Sequence, residues 1–132
     1  MPLTPEDKLK YKALYLQTAK PYVSQMLDIL KALQSGQEDA EKLELIHRAA
    51  HSMSSQSQMM EYTNLGTLSG VIEKIFKAKI DKTLELDPAL LAALVQAVEN
   101  MQNALVEIET NDKELDLSSE IASLRNLAHI PA

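Results

Sequence analysis

Residues 87 to 109 read DPALLAALVQAVENMQNALVEIE, and this stretch gives the clearest indication of the fold class. Its apolar residues recur every three or four positions, which is the repeat of an α-helix with one buried face. Asp87 followed by Pro88 is a typical helix start, because the carboxylate accepts a backbone N–H and proline needs none there. The stretch therefore predicts a long helix with one apolar stripe, made of Leu91, Leu94, Val98, Met101, Leu105 and Ile108.

Four further segments show the same repeat. They predict helices from Pro5 to the pair Ser35-Gly36, from about Glu38 to Met60, from about Leu65 to Ile80, and from a cap at Ser118 or Ser119 to just before Pro131. The segment Tyr62-Thr63-Asn64 is predicted to separate the second helix from the third.

Local signals refine two of these helices. Thr4-Pro5-Glu6-Asp7 combines a hydroxyl cap, a proline and two acids, which is typical of a helix start. Pro21 cannot donate to the carbonyl of Gln17, so it predicts a kink or a split in the first helix. The predicted inward residues of the other four helices are Leu9, Ala13, Leu16, Val23, Leu27 and Leu30 in the first, Leu43, Ile46, Ala50, Met53 and Met60 in the second, Leu65, Leu68, Ile72, Ile75 and Phe76 in the third, and Ile121, Leu124 and Leu127 in the last.

No segment has the alternating pattern of a strand, and the connections are short. Short connections make neighbouring helices antiparallel. We therefore expect an all-α fold, an antiparallel up-and-down bundle of four to five helices. The whole chain, 1–132, is expected to be one domain with a bundle core at about 5–110 and a short C-terminal helix at about 118–129.

The composition restricts the class of protein. The chain has no cysteine, which excludes a disulfide framework, a thiolate nucleophile and a Cys-ligated zinc site. Its net charge of -6 argues against a nucleic-acid partner. The longest apolar run, Leu90 to Val95, is too short to span a bilayer, and the first twenty residues are too charged for a signal peptide. We expect a cytoplasmic protein without a nucleic-acid or membrane partner.

One histidine stands out on the second predicted helix. At about 100° per residue, His51 falls outside the apolar stripe. The same polar flank carries Glu44, His47, Arg48, Ser55 and Gln58. The residues that follow, 52–58, are small and polar for a helix interior, and Ser55 leaves a shallow depression that another protein can enter. We expect the imidazole of His51 to reach solvent.

The third predicted helix has a matching edge. Gly66 and Gly70 lie four residues apart on one side, although each costs a helix about 1 kcal/mol relative to Ala. Glu73 lies on the same side. If this edge faces His51, the Glu73 carboxylate accepts a hydrogen bond from one imidazole nitrogen and leaves the other as a nucleophile.

The stretch from Arg48-Ala49-Ala50-His51-Ser52-Met53 through Tyr62-Thr63 to Glu73 resembles histidine phosphotransfer domains, above all those of chemotaxis histidine kinases. The resemblance implies that His51 accepts a phosphoryl group and that Glu73, 22 residues later, orients the imidazole. It also implies two partners, a histidine kinase catalytic domain and a response-regulator receiver domain whose aspartate takes the phosphoryl group. No cofactor is expected in this chain.

The chain departs from the family pattern near the histidine. Family members usually carry Lys three residues and Gly four residues after it, where this chain has Ser54 and Ser55. Glu61 replaces a common Gly, and Gly70 replaces a frequent second His. Arg48 and Lys77 are the cations left to serve the phosphoryl group. We place Arg48, Ser54, Ser55, Gln58, Gly66, Gly70 and Lys77 in the surroundings of the phosphoryl group and the partner.

Three readings of the function remain open. The first is a phosphorelay carrier rather than an enzyme, either alone or as the leading domain of a histidine kinase. The second, favoured by Ser54, Ser55 and Glu61, is a docking module that binds a kinase or receiver without transferring phosphate. The third is a metal-binding bundle, because His47 and His51 lie four residues apart.

Overall fold

The computed structural model describes residues 3–131, which contain five helices and no strand. The all-α class and the helical bundle are confirmed. The helices are α1 at Pro5–Gln34, α2 at Ala40–Met59, α3 at Thr63–Ile80, α4 at Pro88–Asn111 and α5 at Ser118–Ala128. Helix α2 packs mainly on α3, α1 packs on α4 and α2, and α5 packs on α4 and α3.

The predicted starts of α1 and α4 are confirmed, and in each a side chain just before the helix caps its first turn. Thr4 and Asp7 form a reciprocal capping box at α1, with Pro5 in the first turn. Asp87 accepts the backbone N–H of Leu90 at α4. Helix α2 begins at Ala40, slightly later than expected, because Asp39 accepts the backbone N–H of Lys42 and is therefore its cap.

Pro21 does not split the first helix. Helix α1 is continuous over Pro5–Gln34, so the predicted split is wrong. Both Pro21 and Gln17, whose carbonyl loses its intrahelical partner, are exposed. Water can therefore hydrate that carbonyl, while the buried residues Ala19 and Val23 hold the helix against the bundle on both sides of the proline.

The apolar stripes of α2, α3 and α4 form the core as predicted, with Phe76 and Met53 fully buried. The prediction was wrong for Leu9, which is 70% exposed, and for Ala13, which is also exposed. Helix α4 ends opposite Lys12, whose Nζ donates to the carbonyl of Glu109. Leu9 and Ala13 line an open groove beside Glu109 at this end of the bundle, and no side chain fills it.

The C-terminal helix also differs from its prediction. Leu127 is 38% exposed and Ala128 is buried in its place, because Ile121, Leu124 and Ala128 form the face towards the bundle. Neither Ser118 nor Ser119 caps α5, which starts after Leu117 without a side-chain cap. The backbone N–H of Leu117 instead donates to Asn64 Oδ1, at 3.2 Å.

The break between α2 and α3 is shorter than predicted, since Thr63 and Asn64 belong to the first turn of α3. No side chain of the preceding loop caps this helix. The cap comes from the connection between α4 and α5, where Glu114 accepts the backbone N–H of Leu65 at 3.0 Å and the side-chain amide of Asn64 at 3.3 Å. A distant carboxylate therefore completes the start of α3.

Within residues 3–131, no helix combines the length and the apolar character needed to cross a bilayer.

Candidate functional site

Helices α2 and α3 form an antiparallel pair whose facing edges carry the site. Three contacts give the register. His51 contacts Glu73, Ser54 contacts Gly66, and the side chain of Gln58 lies over Gly66. The edge of α2 that carries His51 and the edge of α3 that carries Gly66, Gly70 and Glu73 therefore face each other along about two turns.

The imidazole of His51 is both oriented and accessible. Its Nδ1 lies 2.7 Å from Oε2 of Glu73, a short hydrogen bond. The His51 side chain is 63% exposed, whereas that of Glu73 is 27% exposed. A carboxylate only accepts, so Nδ1 carries a proton and donates it, and in the neutral imidazole the lone pair is then on Nε2. This arrangement presents a neutral nitrogen nucleophile to an incoming group.

The two glycines of α3 differ in what they allow. A Cβ on Gly66 would lie 2.5 Å from Nε2 of Gln58, so a larger residue there would displace the exposed side chain of Gln58 from this edge of α3. A Cβ on Gly70 would lie 3.4 Å from Oγ of Ser54, which is an ordinary contact. The present position of the Gln58 side chain therefore depends on glycine at 66, whereas no side chain depends in this way on glycine at 70.

Ser54 and Ser55, three and four residues after His51, have different surroundings. Ser54 is half-buried, and its hydroxyl donates to the backbone carbonyl of Gly66 at 3.0 Å. Ser55 is exposed and lies one turn beyond His51 on the same flank. The side chain of Ser54 is thus held between the helices, while Ser55 leaves the surface beside the imidazole low.

Three cations lie near this edge. Arg48, one turn before His51, is exposed. Lys77, one turn beyond Glu73, is exposed and forms an ion pair with Asp81 at 3.1 Å. Lys74 is also exposed, but it follows Glu73 directly and so points about 100° around the helix from it.

The Hpt domain family matches residues 10–104, which include both α2 and α3 and all of the site. The chain belongs to the Hpt domain family. This membership makes it a phosphorelay carrier of two-component signalling. No curated protein sequence matches it significantly.

A solved structure has the same fold as this Hpt domain. It is the phosphorylated P1 domain of CheA3 from R. sphaeroides, in complex with CheY6. The TM-score is 0.80 at 19% sequence identity, over 89% of this chain and 94% of that one. The likeness confirms the Hpt fold. It also extends over most of the chain that lies outside residues 10–104.

The departure at Glu61 has a backbone consequence in this Hpt domain. Glu61 follows the end of α2 with a φ of 63°, in the left-handed region. Residues with a Cβ are strained there, and glycine is not. This conformation explains why the family often has glycine at this position. The exposed carboxylate of Glu61 lies 3.6 Å from Lys8, a weak ion pair that offsets little of the strain.

Two polar contacts that organise this Hpt domain were not predicted from its sequence. Tyr15 on α1 and Ser57 on α2 share a buried hydrogen bond of 2.8 Å. Burial raises the pKa of the Tyr15 hydroxyl, and the hydrogen bond to Ser57 opposes this in part. The other contact is the cap from Glu114. The sequence pattern shows no signal for either, because both partners are distant along the chain.

The metal-binding alternative receives no additional ligands from the fold. Across residues 3–131, no three His, Asp or Glu side chains come together to hold an ion. That reading therefore rests only on the spacing of His47 and His51.

Proposed function

We propose that His51 is the phosphoryl acceptor of this Hpt domain and that Glu73 orients it. The observation that carries the proposal is the hydrogen bond from Nδ1 to Glu73 on an imidazole that is 63% exposed. Orientation and accessibility are the two properties that a phosphoryl-accepting histidine needs, because the nucleophile must have one tautomer and must be reached by a partner's active site.

The transfer step follows from this geometry. The lone pair of Nε2 attacks the phosphorus, a P–N bond forms, and the P–O bond to the leaving group breaks. The ring becomes positively charged, and the Glu73 carboxylate stabilises that charge through the Nδ1–H donor. In the second half of the relay a receiver aspartate attacks the phosphorus and the P–N bond breaks, which returns the neutral imidazole. The partners supply nucleotide and Mg²⁺.

The proposed partners are a histidine kinase catalytic domain and a receiver domain. The receiver is supported by the fold relative CheA3 P1, which is in complex with CheY6. It is also supported by an apolar groove of about 270 Å³ between α1 and the C-terminal part of α2, the helix that carries His51, with Tyr11, Leu14 and Met59 exposed at its edge. Exposed apolar surface of this kind is typical of a protein-binding site.

The proposal covers the chain as one phosphotransfer unit, since α5 contributes Ile121 and Leu124 to the same core as the other helices. It applies equally to a carrier that stands alone and to the leading domain of a histidine kinase. Either would exchange phosphoryl groups in the cytoplasm, where ATP is available to a kinase.

Phosphorylation with a kinase catalytic domain, ATP and a receiver tests the assignment. We expect a base-stable, acid-labile label on the wild type, no label on His51→Gln, and an undiminished label on the matched variant His47→Gln. Glu73→Gln should slow labelling about tenfold, because an amide balances the developing imidazolium charge less well. Equal labelling of His51→Gln and the wild type would refute the assignment.

A docking module without transfer is the second candidate, and the surroundings of Ser54 favour it. The hydroxyl of Ser54 is bonded to Gly66 and offers no cation to a phosphoryl group. This candidate predicts that the wild type binds the receiver and takes no label from any donor.

A further inference from the structure

We infer that Arg48 is the residue that binds the phosphoryl group on His51, in place of the lysine that this chain lacks. The inference rests on the proposed role of His51 and concerns the same site. A phosphoryl group on a side chain carries about two negative charges near neutral pH, and a cation one helical turn away stabilises it by a charge-assisted hydrogen bond.

The turn after His51 cannot supply this cation. Ser54 and Ser55 are neutral, and the hydroxyl of Ser54 is directed at the carbonyl of Gly66. The residues facing this turn on α3 are Gly66 and Gly70. On the C-terminal side of His51, the phosphoryl group therefore meets only small neutral groups.

The turn before His51 is cationic. Arg48 lies three residues earlier in α2, a spacing at which two side chains of a helix are neighbours. Bonds from Cα to Cβ tilt towards the N-terminus of a helix, so the ring of His51 leans over the turn that contains Arg48. Phosphorylation at Nε2 adds the group at the solvent side of this ring, within range of a long side chain such as arginine.

Arg48 is also available. Among residues 3–131, no carboxylate lies within ion-pair distance of its guanidinium and no hydrogen bond holds it. Lys77 is the other candidate, but Asp81 pairs with its ammonium group at 3.1 Å. The planar guanidinium further suits two phosphoryl oxygens at once, which an ammonium group does not match.

Labelling with phosphoramidate, a small phosphoryl donor, tests this inference without any protein partner. We expect Arg48→Gln to lower the labelling rate of the intact chain about three- to tenfold, and Arg48→Lys to restore only part of it, because lysine keeps the charge and loses the two-point contact. Lys74→Gln is the matched control, because it removes an equal exposed charge from the neighbouring helix and should leave the rate unchanged. The difference between wild type and Arg48→Gln should shrink as salt is raised from about 0.01 to 1 M, since salt screens exposed charges.

A second readout follows the guanidinium itself. In the wild type, phosphorylation should shift the NMR resonance of the Arg48 side-chain N–H, and the same donor should cause no shift in His51→Gln. An Arg48→Gln variant that is labelled at the wild-type rate would overturn the inference and leave the role of His51 intact. A rate that falls in Lys77→Gln and not in Arg48→Gln would assign the cation to Lys77. Absence of any label on the wild type would refute the proposed function itself, and this inference with it.

Discussion

At the scale of single residues, Glu61 shows how a departure from the family pattern lowers the stability of this chain. Its φ of 63° requires a left-handed backbone that costs a residue with a Cβ about 1 to 2 kcal/mol. The exposed ion pair between its side chain and Lys8 offsets little of this cost. The position is therefore less stable than a glycine would make it.

We expect Glu61→Gly to raise the free energy of unfolding by about 0.5 to 1 kcal/mol, because the relief of strain exceeds the added flexibility of the unfolded chain. Urea denaturation measures this. Glu61→Ala is the control, since it removes the same ion pair and keeps the strained backbone. An equal gain in both variants would show that the carboxylate, and not the backbone, is the source of the effect.

At the scale of the helix, α3 depends on a cap from outside its own segment. Glu114 accepts the N–H of Leu65, in the first turn of α3, where an N-cap side chain would normally accept it. Its negative charge also lies at the positive end of the helix dipole. The helix that carries Glu73 is thus completed by the connection between α4 and α5.

Glu114→Ala should lower the free energy of unfolding by about 1 to 2 kcal/mol, since it leaves a half-buried N–H without its acceptor. Glu114→Gln should cost less, because the amide keeps one accepting oxygen. Thermal or urea unfolding gives these values. Lys113→Ala, an exposed neighbour, should change the value by less than about 0.5 kcal/mol. Equal stabilities for the Glu114 and Lys113 variants would mean that solvent caps α3 equally well.

At the scale of the whole molecule, the buried pair of Tyr15 and Ser57 joins α1 to α2 and makes stability depend on alkaline pH. Burial raises the pKa of Tyr15 above its ordinary value of 10.0. The unfolded chain therefore releases this proton at a lower pH than the folded one. The stability is fully present below the ordinary value and is lost as pH rises beyond it.

Tyr15→Phe should flatten this alkaline loss while lowering the free energy of unfolding at pH 7 by about 1 kcal/mol, because Ser57 loses its partner. Urea denaturation at neutral and alkaline pH separates the two effects. Tyr11→Phe, on the exposed surface of the same helix, should keep the full alkaline loss. A Tyr15→Phe variant that loses stability above pH 10 as steeply as the wild type would contradict the assignment.

The groove between α1 and α2 is the second feature of the whole molecule that can be tested. Leu14 is 62% exposed at its edge, and we expect Leu14→Gln to weaken binding of the cognate receiver about tenfold. Its labelling by phosphoramidate should stay at the wild-type rate, because His51 is untouched. Val106→Gln on α4, 52% exposed, is the matched control. Calorimetry measures the affinity for the receiver. An equal fall in both variants would exclude the groove as the docking surface.

Features that depend on neighbours along the chain could be predicted from the sequence alone. Helix starts at Thr4 and Asp87 follow from residues within one turn, and the stripes of α2, α3 and α4 follow from the helical repeat. The exposure of His51 also follows from its angle on one helix. Such features are local, because a helix bonds its backbone within four residues.

Features that need two segments in contact became visible only in the three-dimensional structure. Leu9 lines an open groove beside the end of α4 and stays exposed, although its spacing fits the stripe. Glu114 caps α3 from about fifty residues away, and Ser54 turns its hydroxyl to Gly66 instead of towards solvent. These outcomes depend on the lengths of the helices and on which helix edges face each other. The pattern within one segment does not contain that information, because packing is set by distances between segments.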